Sequence, residues 1–187
     1  MDKYIPVVTI NEISETDKIL TALKNNNINC AEITFRTACA KDAIVYACKH
    51  YPDMNIGAGT VINIKQCKEA IKAGAKFIVS PGISDKVAKI CRKNNIPYYP
   101  GCVTPSEIMK ALELGLNTVK FFPADEYGGI KAIKALSGPF PQVKFIPTGG
   151  INMNNLDEYL AFDKVAAVGG SFFVNESIKK MEKNNNE

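Results

Sequence analysis

Apolar residues fall along the chain in short β-rich runs at 5–9, 29–33, 55–57, 77–79, 98–100, 118–121, 143–146 and 166–168. Between them lie longer stretches, including 14–26, 39–50, 64–73, 84–93, 104–114 and 152–160, in which apolar positions recur every three or four residues. The first pattern predicts strands and the second amphipathic helices. Helix starts carry recognisable caps, as in Thr104-Pro105-Ser106-Glu107, a capping box with proline at the first helical position. Gly74 and Gly115 stand where the third and fifth helices should stop.

Strand and helix alternating over a whole chain predict a parallel sheet, and eight repeats predict an α/β fold closed as a compact (β/α)8 TIM barrel. Units of roughly 23 residues are short for that barrel and leave no room for another domain. Residues 1–187 therefore read as one barrel domain, with an asparagine-rich tail at 184–187 expected to fray. The alternative, an open flavodoxin-like sheet, needs only about five strands and leaves several runs unexplained.

Composition narrows the function classes. With 187 residues, 46% apolar and 22% charged, the chain has the makeup of a folded globular protein. Its net charge of +4 is spread along the sequence, which argues against a nucleic-acid-binding stripe. None of the six cysteines forms a C-x-x-C pair and the one histidine, His50, has no partner at ligand spacing, so no metal site is expected. A histidine-based triad would have to use His50, late in a helical pattern. No stretch is long enough to span a membrane, and the start of the chain lacks a signal-type apolar region, so a reducing cytoplasm with free thiols is expected.

One residue breaks the apolar pattern. Lys120 stands inside Thr118-Val119-Lys120-Phe121-Phe122-Pro123-Ala124, a run apolar on both faces as in a covered parallel sheet. Burying an ammonium without a partner costs several kcal/mol, and an amine relieved of its proton is a nucleophile. The plain alternative is a lysine whose stem lies on apolar neighbours while its head reaches water. Strand parity argues for an inward direction: Thr118, Lys120 and Phe122 share one face, as do Glu32, Thr34 and Arg36 on the second strand. The inward sets climb toward the C-terminal mouth, where barrel active sites lie, and Lys120 and Glu32 are expected to meet there. A structural ion pair would explain the same residues, but buried pairs seldom add net stability over apolar packing.

Glycine pairs complete the mouth. Pro147-Thr148-Gly149-Gly150 follows the seventh strand and Val168-Gly169-Gly170-Ser171 the eighth, the two loops through which many barrels bind phosphate. The glycines of Gly57-Ala58-Gly59-Thr60, Ser80-Pro81-Gly82 and Pro100-Gly101 read instead as tight strand-to-helix turns, with the Thr60 hydroxyl beside Arg36.

Taken in order, Glu32-Ile33-Thr34-Phe35-Arg36-Thr37, Gly57-Ala58-Gly59-Thr60-Val61, Ser80-Pro81-Gly82, Lys120-Phe121-Phe122-Pro123-Ala124, Pro147-Thr148-Gly149-Gly150-Ile151 and Gly169-Gly170-Ser171 resemble the KDPG/KHG aldolase family. The resemblance implies a class I aldolase, usually a homotrimer, on a (β/α)8 barrel. Its substrates would be 2-keto-3-deoxy-6-phosphogluconate (KDPG), cleaved to pyruvate and glyceraldehyde 3-phosphate, or 4-hydroxy-2-oxoglutarate (KHG), cleaved to pyruvate and glyoxylate. It implies a role in carbohydrate metabolism of the Entner-Doudoroff type. It makes Lys120 the Schiff-base lysine and Glu32 the acid/base group, acting through a water. Arg36 and Thr60 would hold the pyruvyl carboxylate, Pro81 and Phe122 would line the pocket, and Thr148, Gly149, Gly150, Gly170 and Ser171 would receive the phosphate end. No cofactor is implied, because a protonated imine is itself the electron sink. The chain departs from its relatives at Phe172, where many carry tryptophan, at Thr9, where some carry arginine, and at its short ends, which leave the barrel floor less covered. Two other functions suit the fold: a sugar-phosphate isomerase or epimerase, which leaves the lysine without a role, and a phosphosugar sensor without chemistry.

Overall fold

The structure, a computed structural model, describes residues 2–184. Its strands are β1 (Tyr4–Val8), β2 (Cys30–Thr34), β3 (Asn55–Gly59), β4 (Ile78–Val79), β5 (Tyr98–Tyr99), β6 (Thr118–Phe121), β7 (Lys144–Pro147) and β8 (Val168–Gly170). Its helices are α1 (Glu15–Asn25), α2 (Ala40–His50), α3 (Ile64–Lys72), α4 (Asp85–Lys93), α5 (Pro105–Glu113), α6 (Gly129–Ser137), α7 (Leu156–Leu160) and α8 (Phe172–Asn184). Each helix follows the strand of the same number. Every strand pair is parallel: β5-β4-β3-β2-β1-β8 form one curled sheet and β6-β7 a second. Isolated bridges join the two, Gly101 to Lys120 on one side and Phe145 to Val165 and Thr148 to Gly169 on the other. The result is the closed TIM-barrel-like ring that the strand-helix alternation predicts.

Parity sorts the side chains as expected. Val119, Phe121 and Phe145 point outward and are fully buried against Ile108 and Ile133 of the surrounding helices. The Phe121 and Phe145 rings meet edge-on at 6.4 Å and 84°, the arrangement their quadrupoles favour. Full burial of each ring contributes about 2 kcal/mol of transfer free energy. The inward set closes the floor: Ile5, Cys30, Phe77, Val79, Ile146 and Ala167 pack inside the ring, with Tyr99 against them. A small recess of about 40 Å³ remains beside them, lined by Asp2 and Asn55 with Ile5, Cys30, Phe77 and Tyr99. Phe77 reaches the axis because its ring lies where a side chain at Gly57 would be. Cys30, caught in this plug, has its thiol pushed up by burial first and by Asp2 and Glu32 second, which makes it inert at neutral pH.

Three local differences from the sequence reading have physical causes. Gly57 and Gly59 lie within β3, paired with Glu32 and Thr34, rather than in a turn. The helix expected over 152–160 begins only at Leu156, because the Asn155 side chain accepts from Asn152 N–H and the Asn152 side chain from Asn154 N–H. Such local bonds compete with helix formation. Residue 184 of the expected frayed tail ends α8, and residues 185–187 lie outside the described residues.

The α5 cap forms as predicted. Glu107 accepts from Val103 N–H and Thr104 N–H at 2.9 Å each and from the Thr104 hydroxyl at 2.8 Å, while Thr104 Oγ1 accepts from Glu107 N–H at 3.3 Å. Partial burial pushes the Glu107 carboxyl up, but these three donors outweigh it and hold the group below its ordinary value. A depressed carboxyl stabilises the fold above its unfolded-state pKa, and that stability is lost as pH falls through the folded value. Glu107→Gln is therefore expected to lower the urea midpoint at pH 7 and to match the wild type near pH 2.5; an equal deficit at both pH values would contradict the assignment.

Candidate active site

Lys120 is held by its backbone on both sides. Its N–H donates to Pro100 O at 2.8 Å and its carbonyl accepts from Cys102 N–H at 2.9 Å, while β7 pairs along the other edge of β6. With the main chain fixed and residue parity inward, the side chain enters the barrel axis. There its Nζ donates to Glu32 Oε1 at 3.3 Å, with the two side chains 6% and 3% exposed. Phe122 lies alongside, its ring centroid 5.3 Å from the same Nζ, so that the negative ring face meets the cation. The expected meeting of Lys120 and Glu32 is thus observed.

Glu32 reaches the lysine across β3. It pairs with Gly57, and its carboxylate lies over Gly59, where any side chain would occupy the same space. Glycine on the inward face of β3 is a vacancy made for the carboxylate, which is why it stands within a strand despite its cost of roughly 0.5–1 kcal/mol there. Removing either partner of such a buried pair costs about 3–5 kcal/mol by stranding the other charge.

Arg36 follows β2 and Thr60 follows β3, and Arg36 Nε donates to Thr60 Oγ1 at 3.0 Å. Thr60 has φ 55°, a left-handed conformation rarely adopted by a β-branched residue. Neighbouring bonds enforce it: Phe35 N–H donates to Gly59 O at 2.8 Å, Val61 N–H to Val79 O at 3.1 Å, and the Ser80 hydroxyl to Val61 O at 2.5 Å. Strain of this kind costs about 1–3 kcal/mol and is concentrated at functional sites.

A pocket of about 150 Å³ opens over the lysine. Of the residues singled out in the sequence, Arg36, Lys120, Phe122, Thr148, Gly149, Gly150, Gly170 and Ser171 line it, and Glu32 lies beneath. Gly149 and Gly150 both have positive φ, 94° and 75°, so the β7 loop needs glycine there. Gly170 and Ser171 lead directly into the first turn of α8, whose free N–H groups and dipole favour an anion. Thr60 touches the site through Arg36. Pro81 stands apart, in a neighbouring recess of about 230 Å³ between the β3 and β4 loops. Three lining residues were given no site role in the sequence: Val7, Thr9, named there only as a departure from relatives, and Ile151, named only within the glycine motif. Val7 and Thr9 share the inward parity of Ile5, and that alternation alone could have found them. A larger groove of about 490 Å³ between the starts of α2 and α3 includes Lys41 and Lys65 but not the inward Lys120.

The chemistry available is that of a buried amine beside a carboxylate, a guanidinium at one end of the pocket and an amide-rich anion seat at the other. If the Thr60 backbone is strained to serve Arg36, Thr60→Gly should relieve about 1–2 kcal/mol of strain. Glycine's extra unfolded-state freedom offsets roughly half of it. The variant is expected to unfold at equal or slightly higher urea; a clear loss of stability would contradict the strain.

The family model for KDPG and KHG aldolase matches residues 1–186. The 2-dehydro-3-deoxy-phosphogluconate aldolase of Treponema pallidum (strain Nichols) is 43% identical over 172 residues, 92% of this chain and 82% of that protein. Among solved structures, KDPG aldolase from Legionella pneumophila, with pyruvate captured at low pH as a covalent carbinolamine intermediate, superposes with a TM-score of 0.91 at 44% identity, covering 97% of this chain and 88% of that one. The 2-keto-3-deoxy-6-phosphogluconate aldolase of Zymomonas mobilis ZM4, with 3-phosphoglycerate, gives a TM-score of 0.89 at 34% identity, covering 95% and 90%. Matched across nearly its whole length and carrying a buried lysine at the mouth of the same fold, the chain belongs to the KDPG and KHG aldolase family.

Proposed function

We propose that this protein is a class I aldolase that cleaves KDPG to pyruvate and glyceraldehyde 3-phosphate, and KHG to pyruvate and glyoxylate. The observation that carries this reading is Lys120 Nζ, almost fully buried at the pocket base and 3.3 Å from Glu32. The covalent pyruvate adduct of the Legionella pneumophila relative supports it.

In this mechanism Glu32 takes a proton from Lys120, and the freed lone pair attacks C2 of the 2-oxo acid. Glu32 then returns that proton to the carbinolamine hydroxyl, which leaves as water, so that an iminium forms and the carboxylate is ionised again. Glu32, through a water, then accepts the proton of the C4 hydroxyl as the C3–C4 electrons flow to the iminium nitrogen, and the aldehyde departs. The same proton returns to C3 of the enamine, and water releases pyruvate and the amine. Arg36, oriented by Thr60, holds the carboxylate throughout. Phe122 bounds the pocket, and Thr148, Gly149, Gly150, Gly170 and Ser171 seat the phosphate or second carboxylate. The chemistry draws on no organic cofactor or metal, since the iminium supplies the electron sink.

Borohydride added with pyruvate is expected to fix one pyruvyl mass on Lys120, and Lys120→Met to abolish both the adduct and, by about a thousandfold or more, kcat/KM. An isomerase or epimerase would keep its turnover in that variant, and a sensor would release no pyruvate from either substrate.

We read residues 1–187 as one catalytic barrel in a reducing cytoplasm, serving carbohydrate breakdown of the Entner-Doudoroff type. The six free cysteines support that compartment. We also propose a homotrimer. Ile62, 63% exposed beside Pro81 and Ile83, supports an apolar subunit contact at the rim. Sedimentation equilibrium should give three times the chain mass, and a monomer would overturn this assembly.

A further inference from the structure

The rim of the pocket holds a hydroxyl pair that the mechanism above leaves unused. Thr9 Oγ1 and Thr34 Oγ1 lie 3.1 Å apart, one just beyond β1 and the other at the end of β2. Thr34 is completely buried, whereas Thr9 is exposed and lines the pocket. Two hydroxyls at this distance share one proton, so either can be the donor. Burial decides which. If Thr9 donated, the Thr34 O–H would need a second acceptor in a place water does not reach, and among the described residues Thr34 Oγ1 has Thr9 as its hydrogen-bond partner. If Thr34 donates, its proton is satisfied and the Thr9 O–H is left free at the pocket wall. The order is therefore Thr34 to Thr9 to pocket.

The sheet order gives that O–H its target. Since β1 lies between β2 and β8, Thr9 stands between Arg36 and the Gly170-Ser171 turn. The two cationic side chains lining the pocket, Arg36 and Lys120, are engaged by the carboxylate and C2 of the pyruvyl half. The half that leaves as aldehyde faces neutral donors on the β7, β8 and β1 side. We propose that Thr9 is a specificity-determining donor to an oxygen of the aldehyde half, and that Thr34 is a positioning residue that aims it. This rests on the aldolase reading. Being neutral, the Thr9 donor selects for an oxygen at the right place rather than for charge, and an oxygen acceptor lost from the substrate leaves the donor unpaired.

The experiment compares wild type, T9V, T9S, T34V and T9V/T34V in three assays: thermal unfolding, kcat/KM on KDPG and on KHG, and the pyruvate concentration for half-maximal borohydride trapping. T9V should lower kcat/KM on KDPG by about ten- to a hundredfold while leaving pyruvate trapping unchanged. It should also lower Tm, because Thr34 loses its acceptor, and T9S should restore both. T34V, which leaves the Thr9 hydroxyl in place but no longer aimed, should lower kcat/KM on KDPG by about three- to tenfold, less than T9V, with pyruvate trapping and Tm unchanged; unchanged kcat/KM in T34V would overturn the positioning role. T9V/T34V is the deciding variant: replacing both hydroxyls by methyls should restore Tm but not kcat/KM. Loss on KDPG alone assigns the contact to a hydroxyl or phosphoryl oxygen, and equal loss on KHG assigns it to the oxygen at C4 or the distal carboxylate. Recovery of activity in step with Tm in the double variant would overturn the proposal by making the pair purely structural, as would unchanged kcat/KM in T9V. A wild type that neither traps pyruvate nor releases it fails at the aldolase reading, and the Thr9 assignment falls with it.

Discussion

Two opposite charges, Lys120 and Glu32, meet 3.3 Å apart in a space that the rest of a barrel of this size fills with hydrocarbon. Taking both out of water costs more than their attraction returns unless the geometry is fixed. Much of the surrounding structure is arranged to fix it. The backbone of β6 is anchored on both edges, so the lysine has one direction available. Gly59 yields its side-chain space to the carboxylate, and the Phe122 ring offers a polarisable face to the ammonium. The apolar plug of Ile5, Phe77 and Ile146 packs the space below the pair. The same enclosure strengthens every electrostatic contact a substrate would make there.

The stability needed to hold such a pair comes from elsewhere in the fold. Outward-facing Val119, Phe121 and Phe145 pack on the helical layer. Helix starts at Asn63, Ser84 and Thr104 satisfy their free N–H groups with side-chain oxygens. These features have no chemical task and use ordinary residue preferences. The unusual features, a left-handed threonine, inward glycines and a buried ion pair, gather at one end of the ring. The division between a conventional frame and a strained mouth is what permits a marginally stable chain to carry a costly site.

This division also explains what could be read from the residues alone. Period-two alternation placed Glu32, Lys120 and Phe122 inside a barrel, because a closed parallel sheet admits only two directions for a side chain. The eightfold recurrence of strand and helix did the same for the architecture. The strand glycines were misjudged, since a glycine that breaks a strand and one that leaves room for a neighbour across the sheet have the same local signature. Only the register of β2 on β3 distinguishes them. The late start of α7 depended on asparagine side chains choosing local backbone partners over helix, and Pro81 on the path of a loop; neither leaves a periodic trace.

Gly101 sets a further asymmetry into the rim. The Pro81 carbonyl presses on it so closely that a side chain there has no place, and Gly101 is itself bridged to Lys120. On that flank main chain meets main chain, with no rotamer to exchange and no residue to swap. On the opposite flank, Thr9 and Ser171 present exposed side chains, which substitution can change where no backbone stands against them. The mouth therefore has an immutable half, which keeps the reaction the same, and an evolvable half, through which descendants of this chain can acquire a new taste in aldehydes.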